Sequence, residues 1–227
     1  EENKKAVFIV LDCLGTVLWR TITEILYDHY KIDTEYGLSL LPTTTSFSRN
    51  AIFSGLFPDE LEKKYPTVWE KIWEDEKSRN RYEDKFLKDQ LNKLGHSDKS
   101  VNYSKIVTLE QGKKLAGNIN DFQHLDMFAL VVNFIDILGH TRSESTVIQE
   151  MVPDEAAYRS AVISWMKNVW FLKVLKEISY WGHTVIITSD HGIIRVKKPV
   201  VVKGDKSTSS GLRSKFGRNL NLSSKHA

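Results

Sequence analysis

Ala6-Val7-Phe8-Ile9-Val10-Leu11-Asp12 is an unbroken apolar run that stops at an acid, and its reading decides the fold. A segment that is apolar at every position suits a strand covered on both faces, as in a parallel sheet; a half-solvated strand would alternate. Two similar runs follow. Phe128-Ala-Leu-Val-Val-Asn-Phe-Ile135 ends at Asp136, and Thr184-Val-Ile-Ile-Thr188 ends in Ser189-Asp190-His191-Gly192. Helical spacing separates them: Val17 to Tyr30 carries Leu18, Ile22, Ile25 and Leu26, another helix begins at Ser46, and Asp154 to Tyr180 repeats apolar residues from Tyr158 to Leu175. Leu38 to Leu41, stopped by Pro42, and Lys105 to Thr108 are predicted as short strands, and Ile193 to Lys203 as an antiparallel excursion. Strands alternating with helices predict an α/β domain with a doubly wound, mostly parallel sheet.

The composition agrees. With 41% hydrophobic and 27% charged residues, the 227-residue chain is neither a disordered nor a fibrous protein. Its single cysteine, Cys13, excludes an intrachain disulfide framework and fits a reducing, cytoplasmic compartment. Apolar runs of about eight residues are too short for a transmembrane helix, so no membrane insertion is expected. The start, Glu1-Glu2-Asn3-Lys4-Lys5, leads straight into the first strand and reads as the edge of a domain cut from a longer chain. Residues 1–227 are taken as one domain, with a charged helical insertion at about 59–95 and a basic tail at about 203–227. The insertion has ten acids and nine bases, which indicates a salt-bridged solvated face. Residues 195–227 carry nine Lys or Arg against Asp205, a balance of +8, whereas the rest of the chain carries −5. Such a tail suits a phosphate-bearing partner.

Ligands of open α/β sheets bind beyond the carboxyl ends of the strands. Parallel neighbours would bring Asp12, Asp136 and Asp190 to that rim, where three carboxylates repel one another unless a cation lies between them. His140 follows Asp136 by four residues and His191 follows Asp190 directly. Carboxylate oxygen with neutral imidazole is a donor set for zinc, or for manganese where oxygens dominate. Between the first strand and the insertion lies Pro42-Thr-Thr-Thr-Ser-Phe-Ser-Arg49-Asn50, leading to Ser54-Gly-Leu-Phe-Pro58. A hydroxyl at this helix start is either a cap or a nucleophile activated by nearby metal. His29, His96, His124 and His183 have no acid at a strand end beside them and are read as structural or surface residues.

In order, these segments resemble the alkaline phosphatase superfamily, and in detail its PglZ domain. The words Leu11-Asp-Cys-Leu14, Ser48-Arg-Asn-Ala-Ile-Phe53, Asn133-Phe-Ile-Asp-Ile-Leu-Gly-His140, Pro153-Asp-Glu-Ala-Ala-Tyr-Arg159 and Lys215-Phe-Gly-Arg-Asn-Leu220 are similar to PorX-type response regulators of type IX secretion. The resemblance implies a two-zinc phosphoesterase with a threonine nucleophile. Its register, ten residues before Gly55, selects Thr45 over Thr43 and Thr44. One zinc is then held by Asp12, Thr45, Asp190 and His191, and the other by Asp136 and His140 with a further histidine. That histidine belongs to a His-Gly-Gly word absent here; only His226 follows His191, so the second site is expected to be incomplete. PorX-like sequences also have Arg and Asp after the first motif, where this chain has Gly15-Thr-Val-Leu18.

Arg49, Asn50, Arg213 and Lys215 are the candidate substrate contacts, and the implied substrate is a nucleotide or oligonucleotide phosphodiester. The implied setting is the effector domain of a two-component regulator, with a homodimer and type IX secretion or sigma-factor partners. The alternative is a metal-binding signalling module with little or no catalysis.

Overall fold

In the computed structural model of this chain, β1 (Ala6–Leu11) pairs in parallel with β3 (Met127–Val132) on one side and β4 (Thr184–Thr188) on the other. A further parallel strand, β2 (Val101–Ile106), lies beyond β3, so the order is β2-β3-β1-β4. The structure describes residues 4–74, 79–194, 200–205, 208, 215, 217 and 219–222. Two compact units divide the chain: Glu1–Leu38 with Leu91–Ile193, and Ser39–Gln90 with Ile194–Ala227.

The first unit holds the α/β sheet that the apolar runs predict. Alternate residues of neighbouring strands, Val7, Ile9, Leu11, Phe128, Leu130 and Val132, enter one buried cluster. Packed into it are α1 (Thr16–Leu26), α6 (Leu109–Asn118), α9 (Glu155–Asn168) and α10 (Phe171–Ser179). Burying each Leu, Ile, Val or Phe side chain stabilises the unit by roughly 1.5–3 kcal/mol, so this cluster dominates its stability. α7 (Phe134–Glu144) and α8 (Thr146–Met151) connect β3 to α9.

Local chemistry explains several departures from the expected elements. The long helix over 154–180 is two helices, interrupted at Val169, which has extended backbone (φ −108°, ψ −153°). The break seats Trp170 edge-on to Phe171 and directly over Gly112, where any Cβ would lie 2.0 Å from the indole nitrogen. β2 precedes the expected 105–108 strand, because Thr108 caps α6: its hydroxyl accepts from Gln111 N–H, and Gln111 Oε1 accepts from Thr108 N–H. No strand forms at Leu38–Leu41, where Leu38 and Leu41 face solvent and Pro42 removes a donor. The second apolar run leaves the sheet at Val132, so Asp136 stands in the first turn of α7 instead of at a strand end. Of the excursion after Ile193, residues 195–199 lie outside the described residues. The described part forms only β5 (Val202–Lys203), antiparallel to β6 (Asn221–Leu222).

The second unit contains α2 (Thr45–Ser54), α3 (Pro58–Lys64), α4 (Pro66–Glu74) and most of α5 (Glu83–Lys93). α2 starts at Thr45, one residue before the expected Ser46, with Thr44 as its extended N-cap. Gly55 ends α2 at φ 62°, donating its N–H to Ala51 O, and the Gln90 amide fills the space a Cβ would need. Pro58 then opens α3, while Glu60 Oε2 accepts the Phe57 N–H. Ile72, Phe86 and Leu87 are buried beneath the charged face, whereas Leu94 is exposed. The pairs Lys63–Asp59, Lys85–Asp89 and Lys88–Asp84 lie on its solvated face and contribute little each. Tyr65 donates to Asp89 Oδ2, and burial followed by that carboxylate pushes its phenol up to about 12.

Arg49 is fully buried and doubly bonded to the buried Glu83, Nε to Oε1 at 2.6 Å and Nη2 to Oε2 at 2.5 Å. Replacing Glu83 by Ala removes this carboxylate from beside the buried guanidinium, at an expected cost of about 3–5 kcal/mol. The pair Arg49→Met with Glu83→Leu, which removes both charges, should cost less than either single truncation. Urea unfolding followed by circular dichroism checks this: a Glu83→Ala loss under about 1 kcal/mol would contradict the buried-pair account.

Candidate metal centre

The centre is built at the carboxyl ends of β1 and β4. Because these strands are direct neighbours, the residues that follow them meet: Asp12, Asp190 and His191 each offer one ligand atom within 4.8 Å of the others, and all three are buried. Two glycines allow the approach. A Cβ on Gly192 would lie 3.0 Å from Gly15 Cα, so the loop after β1 and the loop after β4 pass with backbone against backbone.

A side-chain amide orients the Asp12 carboxylate, and main-chain donors orient that of Asp190. Asp12 N–H donates to Val132 O, and Asn133 Nδ2 donates to Asp12 Oδ2 at 2.8 Å. Asp190 Oδ1 accepts from Cys13 N–H at 3.1 Å and from His191 N–H at 2.9 Å. Cys13 reaches that position with φ 68°, a left-handed conformation that costs a non-glycine residue roughly 1–3 kcal/mol and is held by its surroundings. Beside it, Leu14 N–H donates to Ser189 Oγ, whose own hydroxyl donates to His191 O.

His191 supplies the main test of fit. Its Nδ1 lies 3.2 Å from Gly192 O, and its Nε2 lies 3.4 Å from Asp190 Oδ2 and 3.9 Å from Asp12 Oδ1. Two buried carboxylates side by side require positive charge, from a proton on the ring or from a cation among the three groups. Two carboxylate oxygens and an imidazole nitrogen therefore fit a divalent cation.

Asp136 and His140 form a separate pair in the same unit, one helical turn apart on α7, with His140 Nε2 3.5 Å from Asp136 Oδ1 and His140 mostly exposed. Behind α7, the buried Tyr158 donates its hydroxyl to Ile135 O at 2.9 Å. Burial first, then Cys13, Asp136 and Glu155, raises its phenol well above the usual tyrosine range.

The remaining predicted residues belong to the second unit. Thr45 is half-buried at the first position of α2, and its carbonyl accepts from Asn80 Nδ2. Arg49 and Asn50, the expected substrate contacts, are both buried. Arg49 is enclosed with Glu83, and the buried Asn50 amide donates to Ser46 O and Arg79 O. Lys215 is half-buried, and Arg213 lies outside the described residues. Sequence reasoning missed Asn133, Ser189 and Tyr158. Asn133 was detectable as the one polar residue inside an apolar run, whereas Tyr158 looks like any core position of an amphipathic helix.

No curated protein matches the chain. The family model of the BREX system PglZ alkaline phosphatase-like domain matches residues 1–222. That match spans the parallel sheet and the buried Asp12–Asp190–His191 cluster alike, and on it the chain belongs to the PglZ alkaline-phosphatase-like family.

Proposed function

We propose that this PglZ domain is a zinc-dependent phosphodiesterase acting on nucleotides or oligonucleotides, as the effector part of a PorX-like regulator. Family membership and the buried Asp-Asp-His cluster support the coarser statement, a metal-dependent phosphoesterase. The observation that carries the reading is the buried cluster in which oxygens of Asp12 and Asp190 and His191 Nε2 come within ligating reach of one another.

Asp12, Asp190 and His191 would hold one ion, and Asp136 with His140 would contribute to a second. When bound, such ions lower the pKa of a ligated hydroxyl and neutralise charge on phosphoryl oxygens. The chain's own contribution begins with fixed geometry. Cys13 and His191 N–H groups hold one oxygen of Asp190, and Asn133 holds one oxygen of Asp12, so neither carboxylate must reorient on binding. Thr45, chosen by its register to Gly55, attacks phosphorus through Oγ. The bond to the leaving oxygen breaks, and the threonine proton passes through solvent to that oxygen, which departs as an alcohol. Water then hydrolyses the phosphothreonine, releasing phosphate ester and restoring the hydroxyl. The basic residues after 194 suit the extended polyanion of an oligonucleotide better than a lone monoester. A homodimer and type IX secretion or sigma-factor partners belong to the same proposal, through the PorX resemblance.

Three outcomes are expected. Replacing Asp190 by Asn should lower tightly bound zinc by one equivalent with the circular-dichroism spectrum unchanged. Equal metal content in wild type and variant, by elemental analysis, would remove the assignment. Thr45→Val should abolish hydrolysis of a chromogenic phosphodiester while Thr43→Val and Thr44→Val keep it; the reverse pattern would place the nucleophile elsewhere. Two zinc ions without turnover of any phosphodiester would favour the signalling-module reading. Finally, changing Arg213, Lys215 and Arg218 to Gln should flatten the log–log salt dependence of single-strand binding by roughly 0.7 for each phosphate no longer neutralised. An unchanged slope would make the tail a solvated end.

A further inference from the structure

Asn133 sits one step beyond the last registered pair of β3 and β1, Val132 with Leu11, and so stands beside Asp12. It is also the residue before α7, where an asparagine side chain ordinarily accepts from the first N–H groups of the helix. Here it makes no such cap. Its amide turns across the rim instead and donates from Nδ2 to Asp12 Oδ2 at 2.8 Å, while its own N–H donates to Ile106 O at 3.2 Å. The residue after Asp12 continues the line, because Cys13 N–H donates to Asp190 Oδ1 at 3.1 Å. Hydrogen bonds thus run laterally over the carboxyl ends of β2, β3, β1 and β4 in turn.

That line decides which oxygen each carboxylate offers. Asn133 engages Oδ2 of Asp12, and the N–H groups of Cys13 and His191 engage Oδ1 of Asp190. The oxygens nearest His191 Nε2 are the other two, Asp12 Oδ1 at 3.9 Å and Asp190 Oδ2 at 3.4 Å. To bind an ion through both oxygens, either carboxylate would have to give up its donors and leave buried N–H groups without an acceptor, which is unfavourable. One oxygen from each Asp and one imidazole nitrogen suit a small tetrahedral cation such as zinc, with one position left open. Calcium takes about six to eight oxygens and often both from one carboxylate, so the same donors work against it.

We infer that Asn133 is a positioning residue that makes Asp12 a one-oxygen ligand, and thereby a determinant of which cation the Asp12–Asp190–His191 cluster prefers. It acts through the Asp12 carboxylate. The inference rests on the metal-dependent reading above and goes beyond it by naming the residue that sets the selectivity. A merely structural Asn133, tying the ends of β1 and β3 together, predicts something different. Its loss would lower the melting temperature of the metal-free chain and leave the order of metal affinities unchanged.

The test titrates the metal-free full chain with Co2+, read by visible absorption, and with Ca2+, read by calorimetry, alongside thermal unfolding of each metal-free protein. Asp190→Asn first marks the Co2+ step that belongs to the cluster. Asn133→Leu keeps much of the side-chain shape and removes the donor. It should weaken that step about 10- to 100-fold, the usual range for groups that orient a ligand. Ca2+ binding should hold or strengthen, so the preference for Co2+ narrows by at least the same factor, and the intense visible bands of tetrahedral Co2+ should fade per ion bound. Where Ca2+ binds too weakly to measure, the bands decide alone. Equal loss for both ions would overturn the inference. So would a Co2+ affinity and spectrum unchanged by Asn133→Leu, even with a lower melting temperature. If Asn133→Leu does not fold, Asn133→Ala must show the same narrowing, or the inference fails. A wild type with no Co2+ step sensitive to Asp190→Asn refutes the metal-centre reading itself and the inference with it.

Discussion

Everything at the functional end of this protein depends on one constraint: two carboxylates and an imidazole are buried side by side. Asp12, Asp190 and His191 are almost inaccessible to water. Carboxylates in such a place incur desolvation and mutual repulsion, and the main-chain donors around them offset only part of that. The neighbourhood is arranged to hold these groups where they are costly. Cys13 adopts a left-handed backbone so that its N–H reaches Asp190, and two glycines let the loops touch. Local cost of this kind, maintained by a well-packed sheet beneath, indicates a site preorganised for a cation.

The sheet was largely legible from the sequence. The runs at residues 6–11 and 184–188 coincide with β1 and β4: β1 is central and largely buried, whereas β4 is an edge strand with Ile186 exposed, found by its β-branched residues although it was expected to be buried. The second run was harder to delimit. Asn133 interrupts it, but Phe134 and Ile135 continue the apolar character into α7, and hydrophobicity alone cannot mark where a buried strand becomes a buried helix turn. β2, Val-Asn-Tyr-Ser-Lys-Ile, is an edge strand of mixed polarity, and its signal was weaker than that of the capping residues after it. The interruption at Val169 leaves no trace in the periodicity, since the packing of Trp170 on Gly112 joins segments far apart in the chain.

The site was legible in part, for a related reason. Acid-histidine words at strand ends are visible in one dimension, and Asp190-His191 with Asp12 proved to be one cluster. Arg49 and Asn50 looked like substrate contacts because charged and amide groups near a presumed nucleophile suggest anion binding. Their burial depends on Glu83 and Arg79, more than 25 residues away, which no local pattern reveals. The Ser-Gly-Leu-x-Pro word has a mechanical explanation as well: glycine stops α2 in a left-handed turn and proline starts α3. That punctuation fixes the length of α2 and hence the place of Thr45 at its first position.

The pairing of β1 with β4 has a consequence for biosynthesis. Cys13 and Asp190, which share a hydrogen bond, are 177 residues apart in the chain. At ribosomal speeds of roughly 5–20 residues per second, Asp12 emerges about 10–35 s before its ligand partners exist. During that interval β1 can pair with β3 but has one open edge, an apolar strand without its final neighbour. No ion can staple the Asp12–Asp190–His191 cluster early, because two of its three buried donors arrive with the last strand of the sheet. The cluster is therefore completed late, and a nascent chain stalled before β4 would lack it and be prone to edge-to-edge association.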